Sequence, residues 1–289
     1  MPPASPLKVL MAQLRSDRNS PQRNLDLIRE CAETARKRDC HLVLTPELFV
    51  TSYNPKPLSK LRDFAQPLEG SYVKVLTDIA RSTGVDIITG FPEILDGTIY
   101  NTAVWVTWEN GGSLRLVYRK THLWGPAEKE IFKQHDNDFP IVEFRGIKCG
   151  LIICYDCEMV EPSRILALRG CEVMFVPTAL AAGSEIVPRV MVPSRALENA
   201  LFVVYCNHAG FLGPFAGCSV AVGPDGSDIA RGGPEEALLV ATLDGTRKQY
   251  REAVESSPYL TDRRPELYAD ILKTKKEGPV TDHDWNSKL

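Results

Sequence analysis

Residues 8–44 have the sequence KVLMAQLRSDRNSPQRNLDLIRECAETARKRDCHLVL, and this segment indicates the class of the fold. It starts with an apolar run at 8–14, and Ser20-Pro21 then supplies an N-cap followed by proline at the first position of a helix. Apolar residues recur at helical spacing as far as Ala35, and a second apolar run follows at 41–44. The segment therefore predicts a strand, a helix and a second strand.

The same alternation continues along the chain. A helical stripe at 72–80 precedes Gly84, which predicts a helix end, and residues 85–89 predict the next strand. The runs 99–108 and 114–119 predict a β-hairpin. Further strands are predicted at 149–154, 172–176, 202–206, 218–222 and 238–243, and helices at 162–169 and 190–201. The pattern predicts an α/β fold with mixed sheets covered by helices.

The composition bounds the architecture and the class of function. A chain of 289 residues with 44% hydrophobic side chains is large enough for a sizeable core. We predict one domain over residues 1–256 and a tail over 257–289 that is charged and rich in proline, and we expect this tail to wrap a neighbouring subunit or to be partly disordered. The 34 basic and 37 acidic side chains give a net charge of -3 without long runs of one sign, so neither nucleic acid nor a membrane surface is an expected partner.

Apolar runs, the first residues of the sequence and the cysteines indicate where the protein is located in the cell. No apolar run approaches the roughly 18 residues that span a bilayer, and the first residues lack the charged and apolar regions of a secretory signal. The eight cysteines are scattered in apolar surroundings, which is typical of reduced core thiols. We therefore expect a soluble cytoplasmic protein.

Three apolar strands each deliver one reactive side chain at or near their carboxyl ends. These are Glu47, Lys120 and Cys154. Taken singly, each has a commoner structural explanation: a loop carboxylate, a surface amine and a small core side chain. Together they supply a base, a cation and a nucleophile, which are the groups needed to attack a carbonyl carbon and hold the resulting oxyanion.

Other interpretations of these residues use different chemistry. Cys154 and Cys157 form a Cys-x-x-Cys pair, but no second pair lies at zinc-finger spacing, and the five histidines lack metal-binding spacing, so we expect no metal or cofactor. A cysteine–histidine dyad would need His208 beside Cys154. A non-catalytic scaffold would be expected to lack at least one reactive group, and none is missing.

Three segments carry a family resemblance. Thr45-Pro46-Glu47, residues 118–123 (YRKTHL) and residues 150–156 (GLIICYD) resemble, in order and separation, the signature motifs of the nitrilase, or carbon–nitrogen hydrolase, superfamily. The similarity extends over about residues 7–245. The chain departs from the family pattern at Met159-Val160-Glu161, where Phe-Pro-Glu is usual, and at Asn137-Asp138, where Gly-Asp is expected.

The resemblance implies a fold and a mechanism. It implies a four-layer α-β-β-α sandwich that commonly forms a homodimer through its outer helices, and a catalytic triad of Glu47, Lys120 and Cys154. In that mechanism Glu47 accepts the thiol proton, Cys154 forms a thioester, and Lys120 with the backbone N–H of Tyr155 stabilises the oxyanion. Ammonia or an amine is then released.

The resemblance also implies a second glutamate that positions the substrate. Glu128, eight residues after Lys120, is the predicted residue, and Glu130 is its nearest rival. Large or family-matched side chains near the motifs are candidates for the pocket. The candidate pocket residues are Tyr53, His122, Trp124, Phe132, Ala179 and Phe211.

The substrate is the least determined part of the prediction. The segment from Lys120 to Gly125 is similar to amidases that act on small aliphatic or amino-bearing amides. An N-carbamoyl amino acid would need an arginine for its carboxylate, with Arg164 and Arg195 as candidates, and nitriles are a further alternative. The ω-amidase type normally has a longer insertion than the 33 residues between Lys120 and Cys154.

Overall fold

Two six-stranded mixed sheets form the centre of the molecule. The computed structural model describes residues 6–53, 59–136, 138–210, 214–256 and 258–273. The strands in chain order are β1 (Leu7–Gln13), β2 (Leu42–Leu44), β3 (Asp86–Leu95), β4 (Thr98–Thr107), β5 (Ser113–Arg119), β6 (Ile141–Phe144), β7 (Ile147–Leu151), β8 (Val173–Thr178), β9 (Phe202–Asn207), β10 (Val220–Val222), β11 (Asp228–Arg231) and β12 (Ala237–Leu243). The helices are α1 (Pro21–Lys37), α2 (Lys60–Asp63), α3 (Ser71–Thr83), α4 (Gly125–Ile131), α5 (Val160–Leu168), α6 (Val192–Asn199) and α7 (Lys248–Ser256).

Both sheets have parallel strands at the centre and antiparallel strands at the edges. The first sheet has the order β12-β1-β2-β3-β4-β5, and the second has the order β11-β10-β9-β8-β7-β6. Parallel pairing joins β1 to β2 and β2 to β3 in the first sheet, and β7 to β8 and β8 to β9 in the second. The carboxyl ends of neighbouring parallel strands lie at one edge of a sheet, which is where α/β proteins usually place their reactive groups.

Alternating side chains of β1 and β2 separate the layers. Val9 and Met11 belong to the core cluster that also contains strands of the second sheet. Leu10 and Ala12 belong to a separate cluster formed with helices α1 and α3. Helix α6 covers β9 and β10 of the second sheet and packs against α5. Because strand side chains alternate between two faces, this pattern produces helix, sheet, sheet and helix layers, which confirms the predicted four-layer sandwich.

The predicted ends of the first helices are confirmed. Ser20 is the N-cap of α1, and its side-chain oxygen accepts a hydrogen bond from the backbone N–H of Arg23 at 3.2 Å. Helix α3 ends at Gly84, whose φ of 69° is the left-handed conformation that glycine adopts without strain. These ends depend on local contacts alone, so the sequence is sufficient to place them.

Several elements differ from the prediction. Strand β3 continues from the predicted 85–89 segment to Leu95 because it pairs with β4 along its whole length. The helix predicted at 190–201 begins with a π-helical turn over Val187–Met191 and ends at Asn199. Helix α4, the edge strand β6 and the short strand β11 were not predicted. Each of these is seven residues or shorter, so each carries too few apolar positions to show a period.

The described part of the tail contacts the body of its own chain. Helix α7 ends at Ser256, and residues 258–273 contain two short 3₁₀ turns. Leu260 packs against the core cluster between the sheets, and the carbonyl of Tyr259 accepts a hydrogen bond from Arg164 at 3.5 Å. Residues 257 and 274–289 lie outside the described residues, so wrapping around a neighbour stays a prediction. Among the helices described, none combines the length and the apolar character that crossing a membrane requires.

Candidate active site

Glu47 lies in the turn that follows β2, between the two sheets. Its backbone N–H donates a hydrogen bond to the carbonyl of Thr178, the last residue of β8, at 3.2 Å. Leu48 has a φ of 50°, which is uncommon for a residue with a side chain. Gly90 permits this turn, because a Cβ there would lie 3.0 Å from the backbone nitrogen of Leu48. The turn therefore holds the carboxylate at a fixed place against the second sheet.

The carboxylate of Glu47 is buried and only half-paired. Its Oε1 accepts hydrogen bonds from Asn101 Nδ2 at 2.7 Å and from Lys120 Nζ at 2.8 Å. Its Oε2 has no hydrogen-bond partner among the described residues. Burial raises the pKa of Glu47 to about 7 against the lowering effect of Lys120. A carboxylate with one free oxygen and a pKa near neutrality is suited to accept a proton.

Lys120 follows β5, is buried, and pairs with two carboxylates. Its Nζ lies 2.8 Å from Glu128 Oε1 and 3.0 Å from Oε2, in addition to its contact with Glu47. Burial alone lowers the pKa of Lys120, but the charges of Glu128 and Glu47 outweigh burial and hold this pKa well above its usual value. The amine therefore stays a cation in the resting protein.

Glu128 reaches Lys120 from helix α4. Its carboxylate also accepts hydrogen bonds from the hydroxyl of Tyr53 at 2.6 Å and from the backbone N–H of Trp124 at 2.7 Å. Glu128 is 4% exposed, whereas Glu130, two residues later, is exposed on the same helix. Of the two glutamates that the sequence left open, the structure brings Glu128 to the lysine.

Cys154 is the first residue of a 3₁₀ turn that follows β7. Its φ of 47° is a strained, left-handed value for a non-glycine residue, of the kind that often marks functional sites. Burial and the charge of Glu47 raise the pKa of the thiol well above its usual value, while Lys120, the Ala179 backbone and the Thr178 side chain lower it. The resting sulfur is therefore a thiol that needs a base before it can attack.

Two buried polar residues connect these groups, and the sequence assigned a role to neither. Asn101 donates to Glu47 through its side chain, and its carbonyl accepts the backbone N–H of Lys120 at 2.8 Å. Its signal in the sequence is an amide within the apolar strand β4. Asp156 is fully buried and ties the turn of Cys154 to the segment after β5. The carboxylate of Asp156 accepts hydrogen bonds from Tyr118, Thr121, the backbone of His122 and the backbone of Ile153.

The candidate pocket residues occupy different positions. Tyr53 contacts Glu128, and Ala179 directly follows β8 beside the thiol of Cys154. Phe132 is buried in a small apolar cluster with Leu123, and Trp124 is 38% exposed. The ring of His122 lies 2.8 Å from Asp156 through Nδ1, which gives it a structural contact. Phe211 lies outside the described residues.

The structure argues against the alternatives that need other side chains. The ring of His208 is stacked between Phe49 and Phe215, and its Nε2 lies 2.8 Å from the backbone carbonyl of Glu47. Its Nδ1 has no hydrogen-bond partner among the described residues, so it does not serve Cys154 as a base. Arg195, a candidate for binding a substrate carboxylate, instead donates a hydrogen bond to the carbonyl of Cys157 at 3.0 Å and so stabilises the 3₁₀ turn that contains Cys154.

Replacing Lys120 by methionine is expected to lower the free energy of unfolding by about 3 kcal/mol at pH 8, because two buried carboxylates lose their shared cation. Without the cation the pKa of Glu47 in the folded state rises further, because Lys120 is the charge that lowers it. The folded state then binds more protons, so the loss becomes smaller as the pH falls towards 5. Urea denaturation at both pH values measures this effect. Lys129→Met, at an exposed position of α4, is the control. A loss below about 1 kcal/mol at pH 8 would contradict the prediction.

Replacing Asp156 by asparagine is expected to lower the free energy of unfolding by about 2–4 kcal/mol, because an amide NH₂ replaces an oxygen that accepts buried hydrogen bonds. Activity should fall as well, since the turn of Cys154 and the segment of Lys120 lose their common anchor. Thermal unfolding together with kcat measurements tests both parts. Asp136→Asn, at an exposed position, is the comparison variant. Unchanged stability in Asp156→Asn would show that the anchor is dispensable.

The chain is similar in sequence to a known family of proteins. The family model described as "Carbon-nitrogen hydrolase" matches residues 8–252. A hydrolase of Pseudomonas protegens, "Hydrolase in pqqF 5'region", is 38% identical over 253 residues, which cover 86% of each chain. An "(R)-stereoselective amidase" of Pseudomonas sp. is 37% identical over 245 residues, covering 84% of each chain.

A solved structure is similar over almost the whole chain. It is a cysteine-to-alanine variant of the amidase from Nesterenkonia sp. AN1 in complex with butyramide, with a TM-score of 0.80 and 32% identity, covering 93% of this chain and 98% of that one. A related structure of that amidase shows the acetamide moiety of fluoroacetamide added to its active-site cysteine. The extent of these matches, and the fold they share, mean that the chain belongs to the carbon–nitrogen hydrolase family, as an amidase-like member of the nitrilase superfamily.

Proposed function

We propose that this enzyme hydrolyses short primary amides through a thioester on Cys154 and releases ammonia. The observation that carries the proposal is the buried network in which Lys120 bridges Glu47 and Glu128 while the second oxygen of Glu47 has no partner. Glu47 raises the pKa of the Cys154 thiol and Lys120 lowers it, which supports a position of both charged groups near the sulfur. A base, a cation and a nucleophile are thus available to one substrate carbon.

The chemistry starts with transfer of the thiol proton. Glu47 takes this proton as the sulfur of Cys154 bonds to the amide carbon, and the electron pair of the C=O bond moves to oxygen. Lys120 and the backbone N–H of Tyr155 stabilise this oxyanion. This N–H belongs to the first turn of the 3₁₀ segment Cys154–Cys157, directly after the nucleophile.

Collapse of the intermediate breaks the C–N bond. Glu47 returns the proton to the leaving nitrogen, which departs as ammonia and leaves a thioester. Glu47 then takes a proton from water as the water oxygen attacks the thioester carbon, and the thiol is regenerated with release of the carboxylic acid. Glu128 holds Lys120 in place through both of its carboxylate oxygens, and we assign it the positioning of the substrate.

The pKa values suit this sequence of steps. The pKa of Glu47 is about 7, so much of this group is a free base at neutral pH. The raised pKa of Cys154 keeps the proton on sulfur until a carbonyl carbon is within reach. Since the thiolate forms only as the bond to carbon forms, the resting enzyme avoids an exposed reactive sulfur.

Two observations support short amides as the substrate class: the ligand bound by a similar amidase, and the contacts that already occupy Arg195. The amidase from Nesterenkonia sp. AN1 binds butyramide in its active-site variant, which favours short aliphatic amides here as well. Arg195, one candidate for a substrate carboxylate, pairs with Glu198 at 2.9 Å and with two backbone carbonyls. Nitriles and N-carbamoyl compounds, which use the same thioester chemistry, are therefore secondary candidates.

The test is ammonia release from a panel of acetamide, propionamide, butyramide, a nitrile and an N-carbamoyl amino acid. We expect turnover of the amides by the purified protein without added metal or cofactor, and a mass increase on the peptide that contains Cys154 when the acyl intermediate is trapped. Turnover of the nitrile or the carbamoyl compound alone would reassign the substrate. Failure of every compound would overturn the proposal.

We also infer a homodimer formed through α5 and α6. Apolar side chains on these helices are exposed in the single chain, among them Val160 at 48%, Leu168 at 49% and Leu197 at 41%. Exposed apolar groups on neighbouring helices are typical of an interface, and the resemblance implies one at this place. The molar mass in solution from light scattering tests this inference. The cytoplasmic location stays a prediction from composition.

A further inference from the structure

Asn101 is a buried residue of β4 that contacts both the base and the cation of the site. Its side-chain Nδ2 donates a hydrogen bond to Glu47 Oε1 at 2.7 Å, and its backbone carbonyl accepts the N–H of Lys120 at 2.8 Å. Thr102, the next residue, pairs with Arg119, the last residue of β5. The antiparallel pairing of β4 with β5 therefore fixes the amide beside Lys120.

The two oxygens of Glu47 have different surroundings. Oε1 accepts hydrogen bonds from Asn101 and from Lys120 Nζ, whereas Oε2 is buried and has no partner among the described residues. Lys120 alone restrains the carboxylate weakly, because its flexible amine also binds both oxygens of Glu128. A second donor on Oε1, which comes from a different strand, restricts rotation of the carboxylate and leaves Oε2 free.

The amide of Asn101 is costly for the fold. Its Oδ1 is buried and has no hydrogen-bond partner within the described part of the chain. A buried acceptor without a donor lowers the stability of the folded state. Ala103 and Val104, further along the same strand, are apolar and avoid this cost. The contact of Nδ2 with Glu47 is therefore what an amide at this position achieves and an apolar residue would not.

We propose that Asn101 is a positioning residue that orients the carboxylate of Glu47, so that Oε1 is held and Oε2 stays free to accept the thiol proton of Cys154. This inference rests on the proposed amide hydrolysis and deepens it. A neutral donor suits this task, because a second cation on Oε1 would stabilise the carboxylate more strongly and make it a weaker base.

The same hydrogen bond stabilises the charged form of Glu47. Burial raises the pKa of Glu47 to about 7, and the hydrogen bond from Asn101 is one of the contacts that lower it. The other titratable groups that face Glu47 are Lys120, Glu128, Tyr53, Cys154 and His208. An Asn101 variant keeps all of these groups, so loss of the amide should raise the pKa of Glu47 and move the acid limb of kcat/KM to higher pH.

The experiment measures kcat and KM for butyramide between pH 6 and pH 9 in Asn101→Leu, which removes the donor at similar size. We expect kcat/KM to fall about tenfold at pH 9, chiefly through kcat, because the base is no longer oriented. The loss should grow to about a hundredfold at pH 6, as the acid limb moves up by about one pH unit. Tyr100→Phe is the control, since this neighbour in β4 packs its ring against His135. This variant should keep the natural profile.

Two further variants separate orientation of the base from a structural role. Asn101→Asp keeps the shape of the side chain but adds a negative charge beside Oε1, so its acid limb should move up at least as far as in Asn101→Leu. In a Glu47→Gln background, Asn101→Leu should lower kcat/KM by less than about threefold, because no base remains to be oriented. An acid limb that stays near pH 7 in both Asn101 variants, or a further tenfold loss in the Glu47→Gln background, would overturn the proposal.

Alkylation of Cys154 by iodoacetamide gives the same information without turnover. The reaction requires loss of the thiol proton, and its rate is followed by the mass of the peptide that contains Cys154. The pH dependence of alkylation should shift upward in Asn101→Leu and stay unchanged in Tyr100→Phe. If no amide were hydrolysed, the proposed function would fail while this shift still supported the role of Asn101. An unshifted profile together with amide turnover would overturn the role of Asn101 alone.

Discussion

Cys154→Ala is expected to abolish amide hydrolysis, with a fall in kcat of about 10⁴-fold or more, because the other groups of the site have no nucleophile to assist. The variant should fold normally. A cysteine and an alanine differ little in volume, so we expect the surrounding packing to persist. Ammonia release under saturating substrate measures the loss, and thermal unfolding measures the integrity of the fold.

The neighbouring thiol provides a matched control for this change. Cys157 lies three residues later, is 1% exposed, and has its pKa raised to about 12 chiefly by burial, so it is an inert core thiol. Cys157→Ala should keep kcat within about threefold of the natural enzyme. Turnover that survives in Cys154→Ala but is lost in Cys157→Ala would move the nucleophile and refute the mechanism.

Glu47→Gln is expected to reduce kcat/KM by about 10³-fold, since the reaction loses the base that accepts the thiol proton. The amide keeps the size of the side chain and still offers an oxygen to Asn101 and Lys120. We therefore expect the folded structure to persist, with Lys120 held by Glu128. Steady-state kinetics with butyramide measures the loss, and circular dichroism verifies the fold.

The pH profile connects that loss to one carboxyl group. The pKa of Glu47 is raised to about 7, so below this pH the group is protonated and cannot accept the thiol proton. In the natural enzyme kcat/KM should therefore rise with pH through about 7, with a slope of one on the acid side. This limb should be absent from the residual activity of Glu47→Gln and present in Glu130→Gln. A limb that persists in Glu47→Gln would assign the titration to another group.

Much of the fold could be predicted because its signals are local. The run 8–14, the capped helix α1 and strand β2 follow each other with the expected periods, and the structure has all three elements. The departures occur where pairing partners decide the outcome. Strand β3 extends as far as Leu95 because β4 lies beside it, and the edge strand β6 pairs with β7 through only four residues.

The residues of the site also fall into two groups, those that the sequence indicated and those whose roles depend on contacts with distant segments. Glu47, Lys120 and Cys154 could be singled out because each occupies the end of an apolar strand, whereas Glu128 was implied only by the family resemblance. Asn101 and Asp156 were not assigned, since an amide in a strand and an aspartate in a turn have many ordinary uses. Their roles depend on contacts across 54 residues, from Asn101 to Glu47, and across 38, from Tyr118 to Asp156.

The sequence by itself determined the alternation of strands and helices, the family and the kinds of reactive groups, because periodicity, capping and motif spacing are properties of neighbouring residues. Only the tertiary structure decided that Lys120 is shared by two carboxylates, and that Glu128 rather than Glu130 reaches it. The physical reason is that burial and charge are set by everything that surrounds a side chain. Those surroundings exist only after distant segments have packed together.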